Sequence, residues 1–221
     1  MLRPVSEATL VVHEIYASIQ GESRFAGLPC TFVRLTGCNL RCVWCDTRQA
    51  FYQGRRRTRA QVLADALRFA TPLVELTGGE PLLQPATLPL LRELCDAGRT
   101  VLLETSGEAD IAPVDPRVHR IVDLKAPGSG ECHRNRWQNL AHLGPRDELK
   151  FVLASRRDYL WMRETVRARG LETLGVGLLA SCVFGALDPK DLVAWVLEDG
   201  LAVRVQLQLH KLIWGRDATG V

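Results

Sequence analysis

Three cysteines, Cys38, Cys42 and Cys45, fall close together in "TGCNLRCVWCDT", separated by gaps of three and two residues. Thiols so spaced suit a disulfide framework, a zinc site or an iron–sulfur site. The chain holds seven cysteines, an odd count, and disulfide-stapled scaffolds belong mainly to small secreted chains, so most of the thiols are expected to be reduced. Cys30, Cys95, Cys132 and Cys182 lie apart from the trio and suit small buried hydrophobes. A structural zinc site takes four ligands, often as two CxxC halves or with paired histidines. No second CxxC follows, and His119, His133, His142 and His210 lack the short paired spacing. A cubane iron–sulfur cluster held by three thiolates leaves one iron without a protein ligand, open for chemistry. Gaps of three and two let a short loop wrap one corner of such a cube.

A second motif stands downstream. "LTGGEP", residues 76–81, closes an apolar run with Gly78 and Gly79, followed by the acid Glu80. Paired glycines let backbone groups approach a ligand closely; alone, the stretch would read as an ordinary glycine turn.

The elements that must position these motifs alternate along the chain. Apolar runs at 9–19, 31–36, 73–77, 100–105, 120–125, 148–154, 173–181 and 202–209 have strand character. Helical patterns occupy 58–70, 85–97, 156–169 and 188–199. Asp188 before Pro189 forms an N-cap and first-turn proline, and Gly98 and Gly170 stand where helices should stop. Such alternation predicts an α/β fold of βα units with a parallel sheet covered by helices. A complete eightfold barrel needs about 250 residues, so 221 residues predict a partial, open βα barrel in one domain over 1–221. Chemistry in such sheets collects at the carboxyl ends of strands. Those ends carry "TGCN", "TGGE", "ETSG", "DLKAPGSGE" and "QLHK", so one rim is the expected active face.

With 47% hydrophobic and 24% charged residues, the composition is that of a globular protein. A net charge of +3 gives little ground for nucleic-acid or membrane binding. The basic run "RRRTR" at 55–59 suits a solvated loop or helix start, or a docking patch for an acidic partner such as an electron-donor protein. The first residues, with Pro4 and two acids, lack the apolar core of a secretory signal. "LGVGLLASCVFGAL" at 174–187 is shorter than the roughly 18 residues of a membrane span. A cytoplasmic location is expected.

The spacing C-x3-C-x2-C, with Trp44 before the last cysteine, resembles the radical S-adenosylmethionine (radical SAM) superfamily, and the GGE strand end strengthens the likeness. There the open iron chelates S-adenosylmethionine, whose reductive cleavage yields a hydrogen-abstracting 5′-deoxyadenosyl radical. More particularly, "YASIQGES" at 16–23, "FVRLTGCNLRCVWCDT" and "QLHKLIWGRDATGV" resemble the 7-carboxy-7-deazaguanine synthases of deazapurine and queuosine biosynthesis. The resemblance implies conversion of 6-carboxy-5,6,7,8-tetrahydropterin to 7-carboxy-7-deazaguanine, with ring contraction and loss of ammonia. It implies a [4Fe–4S] cluster on Cys38, Cys42 and Cys45, S-adenosylmethionine used catalytically, and magnesium.

Carried over residue by residue, Ile19, Gln20, Gly21 and Glu22 would read the pterin edge, and Arg34 would pair bidentately with the substrate carboxylate. Thr77, Glu104 and His210 are further substrate candidates. Thr47 would bind magnesium, although helix capping would also account for Asp46 and Thr47. Trp44, Cys45, Asp46, Gly78, Gly79, Glu80, Ser106, Asp123, Leu124, Lys125, Ser181, Cys182, Val183 and Phe184 match positions around the nucleotide. The family also implies a homodimer and flavodoxin or ferredoxin as electron donor. Some members end just after the histidine motif, whereas this chain continues through "WGRDATGV"; a segment from about 206 to 221 is expected to close the substrate site. Two rivals share parts of the pattern. A glycyl-radical-activating enzyme would have little use for "IQGE" with "QLHK", and a non-catalytic iron–sulfur or zinc protein would not need the GGE strand end.

Overall fold

The computed structural model describes residues 8–216 and 218–221; the first seven residues, read above as lacking a signal segment, and position 217 lie outside it. Nine strands form one sheet in the order β3-β1-β2-β4-β5-β6-β7-β8-β9. They are β1 (Thr9–Ile19), β2 (Pro29–Leu35), β3 (Arg55–Thr58), β4 (Leu73–Gly78), β5 (Thr100–Thr105), β6 (His119–Leu124), β7 (Glu148–Leu153), β8 (Gly177–Cys182) and β9 (Arg204–Gln206). From β2 through β9 neighbouring strands are parallel. β1 alone runs against them, antiparallel to both β2 and β3. The sheet is open, a partial barrel, as the chain length predicts.

The helices are α1 (Arg59–Leu67), α2 (Thr87–Asp96), α3 (Arg156–Ala168), α4 (Pro189–Asp199) and α5 (Leu209–Trp214). Local chemistry sets their ends. Thr58 and Gln61 form a capping box on α1, Ser155 accepts from the Asp158 amide at the start of α3, and Asp188 accepts from the Lys190 amide ahead of Pro189. Gly98 and Gly170 follow α2 and α3 with left-handed φ of 78° and 58°, where a side chain would be strained.

Period-two alternation divides the sheet into two faces. Val33, Leu35, Val74, Leu76, Leu103, Val122, Leu124, Leu149, Phe151 and Ala180 join the large core with Leu90, Leu94, Tyr159, Met162, Leu192 and Val196 of the helices. Each fully buried leucine there contributes about 1.5–3 kcal/mol. The alternate residues face the other way. A small apolar cluster of Cys30, Phe32, Leu73, Leu102 and Ile121 lies near the strand starts, and Glu75, Thr77, Glu104, Asp123, Lys150 and Ser181 follow it towards the carboxyl ends.

The sequence reading differs from the structure in four places. "RRRT" is an edge strand, its Thr58 opening α1; propensity gives arginines no strand signal, and pairing with β1 decides. The run expected as a strand from 173 begins at Gly177, because Leu171–Thr173 is a short 3-10 turn. The last strand stops at Gln206, and Leu209–Trp214 is helical. β1 breaks the all-parallel expectation, since the turn after it pairs it directly with β2.

Candidate active site

The cysteine loop leaves the end of β2 and is tied down by its own neighbours. Arg41 donates from one guanidinium nitrogen to the carbonyls of Cys38 (2.7 Å) and Leu40 (2.6 Å), and its head lies 4.5 Å from the centre of the Phe51 ring. Glu131 accepts from the Arg41 amide at 2.6 Å, and the Val43 amide donates to the Ser129 carbonyl at 3.0 Å. The ring of Trp44 packs against Gly128. All three thiols are partly exposed and unpaired. Burial pushes Cys38 above its ordinary value and Cys42 up to about 11, against the opposing pull of Lys125 on Cys42. Such thiols give up their protons only to a cation that replaces them, as a metal does. Among the described residues no three His, Cys, Asp or Glu donors converge closely enough to hold a single metal ion.

Beside this loop, the GGE turn is bolted to its start. The Gly79 amide donates to the Leu35 carbonyl (3.0 Å) and the Glu80 amide to the Gly37 carbonyl (2.7 Å). A Cβ on Gly79 would collide with the Gly37 carbonyl, and Gly78 has φ 131°; both glycines are required by close approach and by conformation. Glu80 is fully buried. Its carboxylate accepts from Thr105 Oγ1 (2.8 Å), the Ser106 amide and hydroxyl (2.7 Å each) and the Leu82 amide (3.0 Å). Glu80 therefore clamps the ends of β4 and β5 together, with its oxygens engaged by the protein.

Farther along the rim, Asp123 Oδ2 accepts from Lys125 Nζ at 2.8 Å. Asp123 Oδ1 and Ser181 Oγ are buried without a partner, and such atoms in a native fold call for a ligand or water. The Leu124 and Cys182 side chains belong to the helix-side core, so these two could meet a ligand only through backbone. The Val183 amide donates to the Leu153 carbonyl at 2.8 Å, and Phe184 is exposed.

The polar face is organised by a strap the sequence did not reveal. The turn after β1 enters from the amino-terminal end of the parallel strands and crosses them. Gln20 donates to Glu75, Glu22 accepts from Lys150 Nζ at 2.6 Å, the Arg24 amide donates to Glu148 at 3.0 Å, and Ser23 exchanges two bonds with the Gln206 amide. Lys150, 5% exposed, also donates to Glu104. Burial weakens its hold on the proton, yet Glu104 and Glu22 keep it well above the ordinary lysine value. Burial likewise pushes Glu104 up, but Lys150 overcomes this and keeps it below the usual carboxylate range. Thr77 Oγ1 donates to Glu104 Oε2 at 3.4 Å.

At the edge of this face, Arg34 donates to Glu14 (2.7 Å) and Tyr16 (3.0 Å). These contacts take Nε and one hydrogen of a terminal nitrogen, leaving the outer edge of the guanidinium, with a hydrogen on each terminal nitrogen, free for an end-on contact.

The tail joins the strap to the cysteine loop. The Leu209 amide donates to the Gly21 carbonyl at 3.1 Å, and a Cβ on Gly21 would strike the His210 ring. Gln208 donates to Glu22 at 2.7 Å, while Lys211 donates to Gln208 at 2.7 Å and to Asp46 at 2.5 Å. Burial pushes Asp46 up, but Lys211 and the Thr47 hydroxyl hold it down at about 2. Thr47 donates to Asp46 at 3.0 Å and makes no side-chain cap to the turn it precedes, so capping does not account for its hydroxyl. Burial pulls His210 below the ordinary histidine value, Glu22 opposing.

The predicted substrate residues Gln20, Gly21, Glu22, Thr77, Glu104 and His210 are thus brought together around Lys150, with Ile19 half-buried at the end of β1 and Arg34 at the edge. Sequence reasoning missed Lys150, Glu75 and Gln206, and of "QLHK" it assigned a role to His210 alone, not to Gln208 or Lys211. A signal existed: "ELKFVL" and "LVELT" put charges at alternate positions of otherwise apolar strands, which marks a face that is buried yet polar.

An open, mostly parallel barrel with a three-cysteine loop and a GGE strand end defines a radical SAM protein; the profile of the radical SAM superfamily matches residues 32–125. The fold is similar to the crystal structure of QueE from Escherichia coli, with a TM-score of 0.74 over 91% of this chain and 95% of that one at 23% identity. The 7-carboxy-7-deazaguanine synthase of Chlorobaculum tepidum is 50% identical over 98% of this chain and 99% of its own. That of Koribacter versatilis is 46% identical over 95% and 99%. The chain belongs to the 7-carboxy-7-deazaguanine synthase family. Membership implies a [4Fe–4S] cluster and S-adenosylmethionine. The residues fit both: three unpaired thiols on one loop, and beside it a glycine cradle and two orphaned buried oxygens.

Proposed function

We propose that the chain converts 6-carboxy-5,6,7,8-tetrahydropterin to 7-carboxy-7-deazaguanine, contracting the ring and releasing ammonia. The single observation that carries this is the convergence of the strap and tail residues with Glu104 around Lys150, tied to the cysteine loop through Gln208, Lys211 and Asp46. Cys38, Cys42 and Cys45 would hold the cluster. When bound and reduced, it supplies the electron that cleaves S-adenosylmethionine and so delivers a hydrogen-abstracting radical. Trp44, Asp46, Gly78, Gly79, Ser106, Asp123, Lys125, Ser181 and the backbone of Leu124 and of 182–184 would line the nucleotide, with Glu80 holding the strand ends that present them.

Gln20 and Glu22 present amide and carboxylate groups suited to the donors and acceptors of a planar pterin. Gly21 and Ile19 shape the floor beneath it, and Arg34 reaches the substrate carboxylate end-on. Thr77 and Glu104 close the opposite side. His210, its basicity lowered by burial against the pull of Glu22, is placed to hold or accept a proton at a ring nitrogen. Thr47 is the proposed magnesium ligand, its hydroxyl and the adjacent Asp46 carboxylate being hard oxygen donors. The whole chain, 1–221, would act as one domain. Support comes from the single sheet and from bonds that join residues 20–24 to 206–211.

A homodimer is supported by Leu212, Ile213 and Trp214, 58%, 56% and 41% exposed on α5, an apolar patch that calls for cover. An acidic electron donor, flavodoxin or ferredoxin, suits the exposed Val43 and Tyr52 beside Arg41 and Arg48 at the cysteine loop. No helix among the described residues is long and apolar enough to cross a membrane; a cytoplasmic location is proposed. The test is anaerobic incubation of the iron-reconstituted protein with S-adenosylmethionine, magnesium, reductant and 6-carboxytetrahydropterin, read by mass spectrometry. 7-Carboxy-7-deazaguanine in excess over 5′-deoxyadenosine is expected. Formation of 5′-deoxyadenosine alone would overturn the substrate.

A further inference from the structure

Three carboxylates of the polar face, Glu22, Glu75 and Glu104, gather at the strap around the Lys150 ammonium. Lys150 Nζ bonds two of them, Glu22 at 2.6 Å and Glu104. Glu75, in the middle of β4 and 2% exposed, takes no part in an ion pair among the described residues. Instead it accepts from the Gln20 amide, and on the neighbouring strand Glu104 stands on the same face, two residues beyond Leu102, the register partner of Glu75. Two carboxyl groups bond each other only when a proton lies between them, because a carboxylate has no donor.

We propose that Glu75 is a positioning residue of the pterin site, a proton-bearing carboxylic acid that accepts from Gln20 and donates to Glu104, so that both face the substrate in one orientation. This rests on the assignment of Gln20 and Glu104 as substrate residues. Lys150 decides which member of the pair keeps the proton: it touches Glu104, which stays ionised, so Glu75 is the acid. The surroundings agree from every side. On β2 Phe32 stands opposite Glu75, with Tyr16 of β1 beyond it, and on β5 Leu102 stands opposite with Glu104 two residues farther along the same face. The cations nearest in this arrangement are bonded to other partners: Lys150 opposes the shift but bonds Glu22 and Glu104 rather than Glu75, and Arg34 bonds Glu14 and Tyr16. Burial first, and the Glu104 charge second, push Glu75 well above the usual carboxylate range.

The experiment compares Glu75→Gln, a shape-matched permanent donor and acceptor, with Glu75→Leu, which removes both roles. On the cluster-loaded protein without substrate, infrared spectra at neutral pH should show a protonated carboxyl C=O band in the wild type that Glu75→Gln lacks. In turnover, Glu75→Gln should keep kcat/KM within about threefold, while Glu75→Leu should lose roughly tenfold or more, as expected when two buried polar partners are left unpaired. Wild-type activity should fall at alkaline pH as the shared proton leaves, and Glu75→Gln should not show that fall. A wild type without the band, a band that survives in Glu75→Gln, or a Gln variant as impaired as the Leu variant would each overturn the proposal. Should Glu75→Leu fail to fold, the band and the pH profile of Glu75→Gln still decide. The band is read without substrate, so a wild type that shows it yet makes no deazaguanine would overturn the substrate assignment and leave the acid in place.

Discussion

The two faces of β7 are built from adjacent residues and obey opposite rules. Leu149, Phe151 and Leu153 point into the helix-covered core and are fully buried. There any apolar side chain of the right volume would serve. Glu148 and Lys150, one residue away on either side of Leu149, are also buried, at 2% and 5% exposure, but each is held by named partners across the strap. Burial is equal and tolerance is not. On the core face an error costs contacts in proportion to volume, whereas on the polar face it strands a charge. The polar face also retains one carboxylate more than its bonded cation neutralises, an imbalance that a site awaiting a donor-rich ligand can use and a core would not keep.

The largest break of the comparison lies at the rim. Replacing Cys42 with Ala should abolish both the cluster and 5′-deoxyadenosine formation while the sheet remains folded, because the loop makes no contribution to the helix-side core; iron content and circular dichroism measure the two. An intact cubane in that variant would remove Cys42 from the ligand set.

Next comes the paired test on β7. Lys150→Met should destabilise by about 3–5 kcal/mol, since it leaves Glu22 and Glu104 uncompensated, and should remove turnover as well. Leu149→Ala should cost a similar 2–5 kcal/mol yet leave kcat/KM of the folded fraction within a few fold. Urea titration with steady-state kinetics separates them. If both variants lost stability and activity in the same ratio, the two faces would not differ as described.

Legibility in the sequence follows the same division. The core face was readable because period-two apolar runs and 3.6-period helices carry their own signal: β5 and α4 lie within a residue of where the pattern places them. Cys38, Cys42, Cys45 and the GGE turn were visible because they are local in sequence. Lys150 and Glu75 were not, since their meaning depends on partners 128 and 55 residues away. Nor could β3 be read, because an edge strand of arginines is specified by the strand it pairs with. "IQGE" stood out by resemblance only; that it crosses the polar face from the amino-terminal end depends on β1 running backwards, which no local pattern states.

A smaller effect is expected at Arg34. Arg34→Ala should raise KM for the pterin by roughly ten- to a hundredfold, the loss of a charge-assisted contact, while the cluster and uncoupled cleavage of S-adenosylmethionine persist. Unchanged substrate affinity would take Arg34 out of the site and leave it a partner of Glu14 and Tyr16 alone.

The smallest and sharpest test asks whether the polar face stores a proton. In the unfolded chain Glu75 ionises near the ordinary value of about 4.3; in the fold, burial and Glu104 raise it well above. Below the unfolded value both states carry the proton, and the full contribution to stability is present. As pH rises from there to the folded value, only the native state still binds the proton, so that contribution falls steadily and levels off once the native carboxyl ionises too. Glu75→Gln has no proton to lose. Its Tm should therefore gain on that of the wild type as pH rises above about 4.3, by a few degrees at neutral pH, where each 1 kcal/mol moves a domain of this size by about 2–4 °C. Leu149→Ala, on the other face of the sheet, should show a Tm deficit that does not vary with pH. A Glu75→Gln difference equally flat with pH would mean that Glu75 is ionised in the fold and that the polar face holds its carboxylates by Lys150 alone.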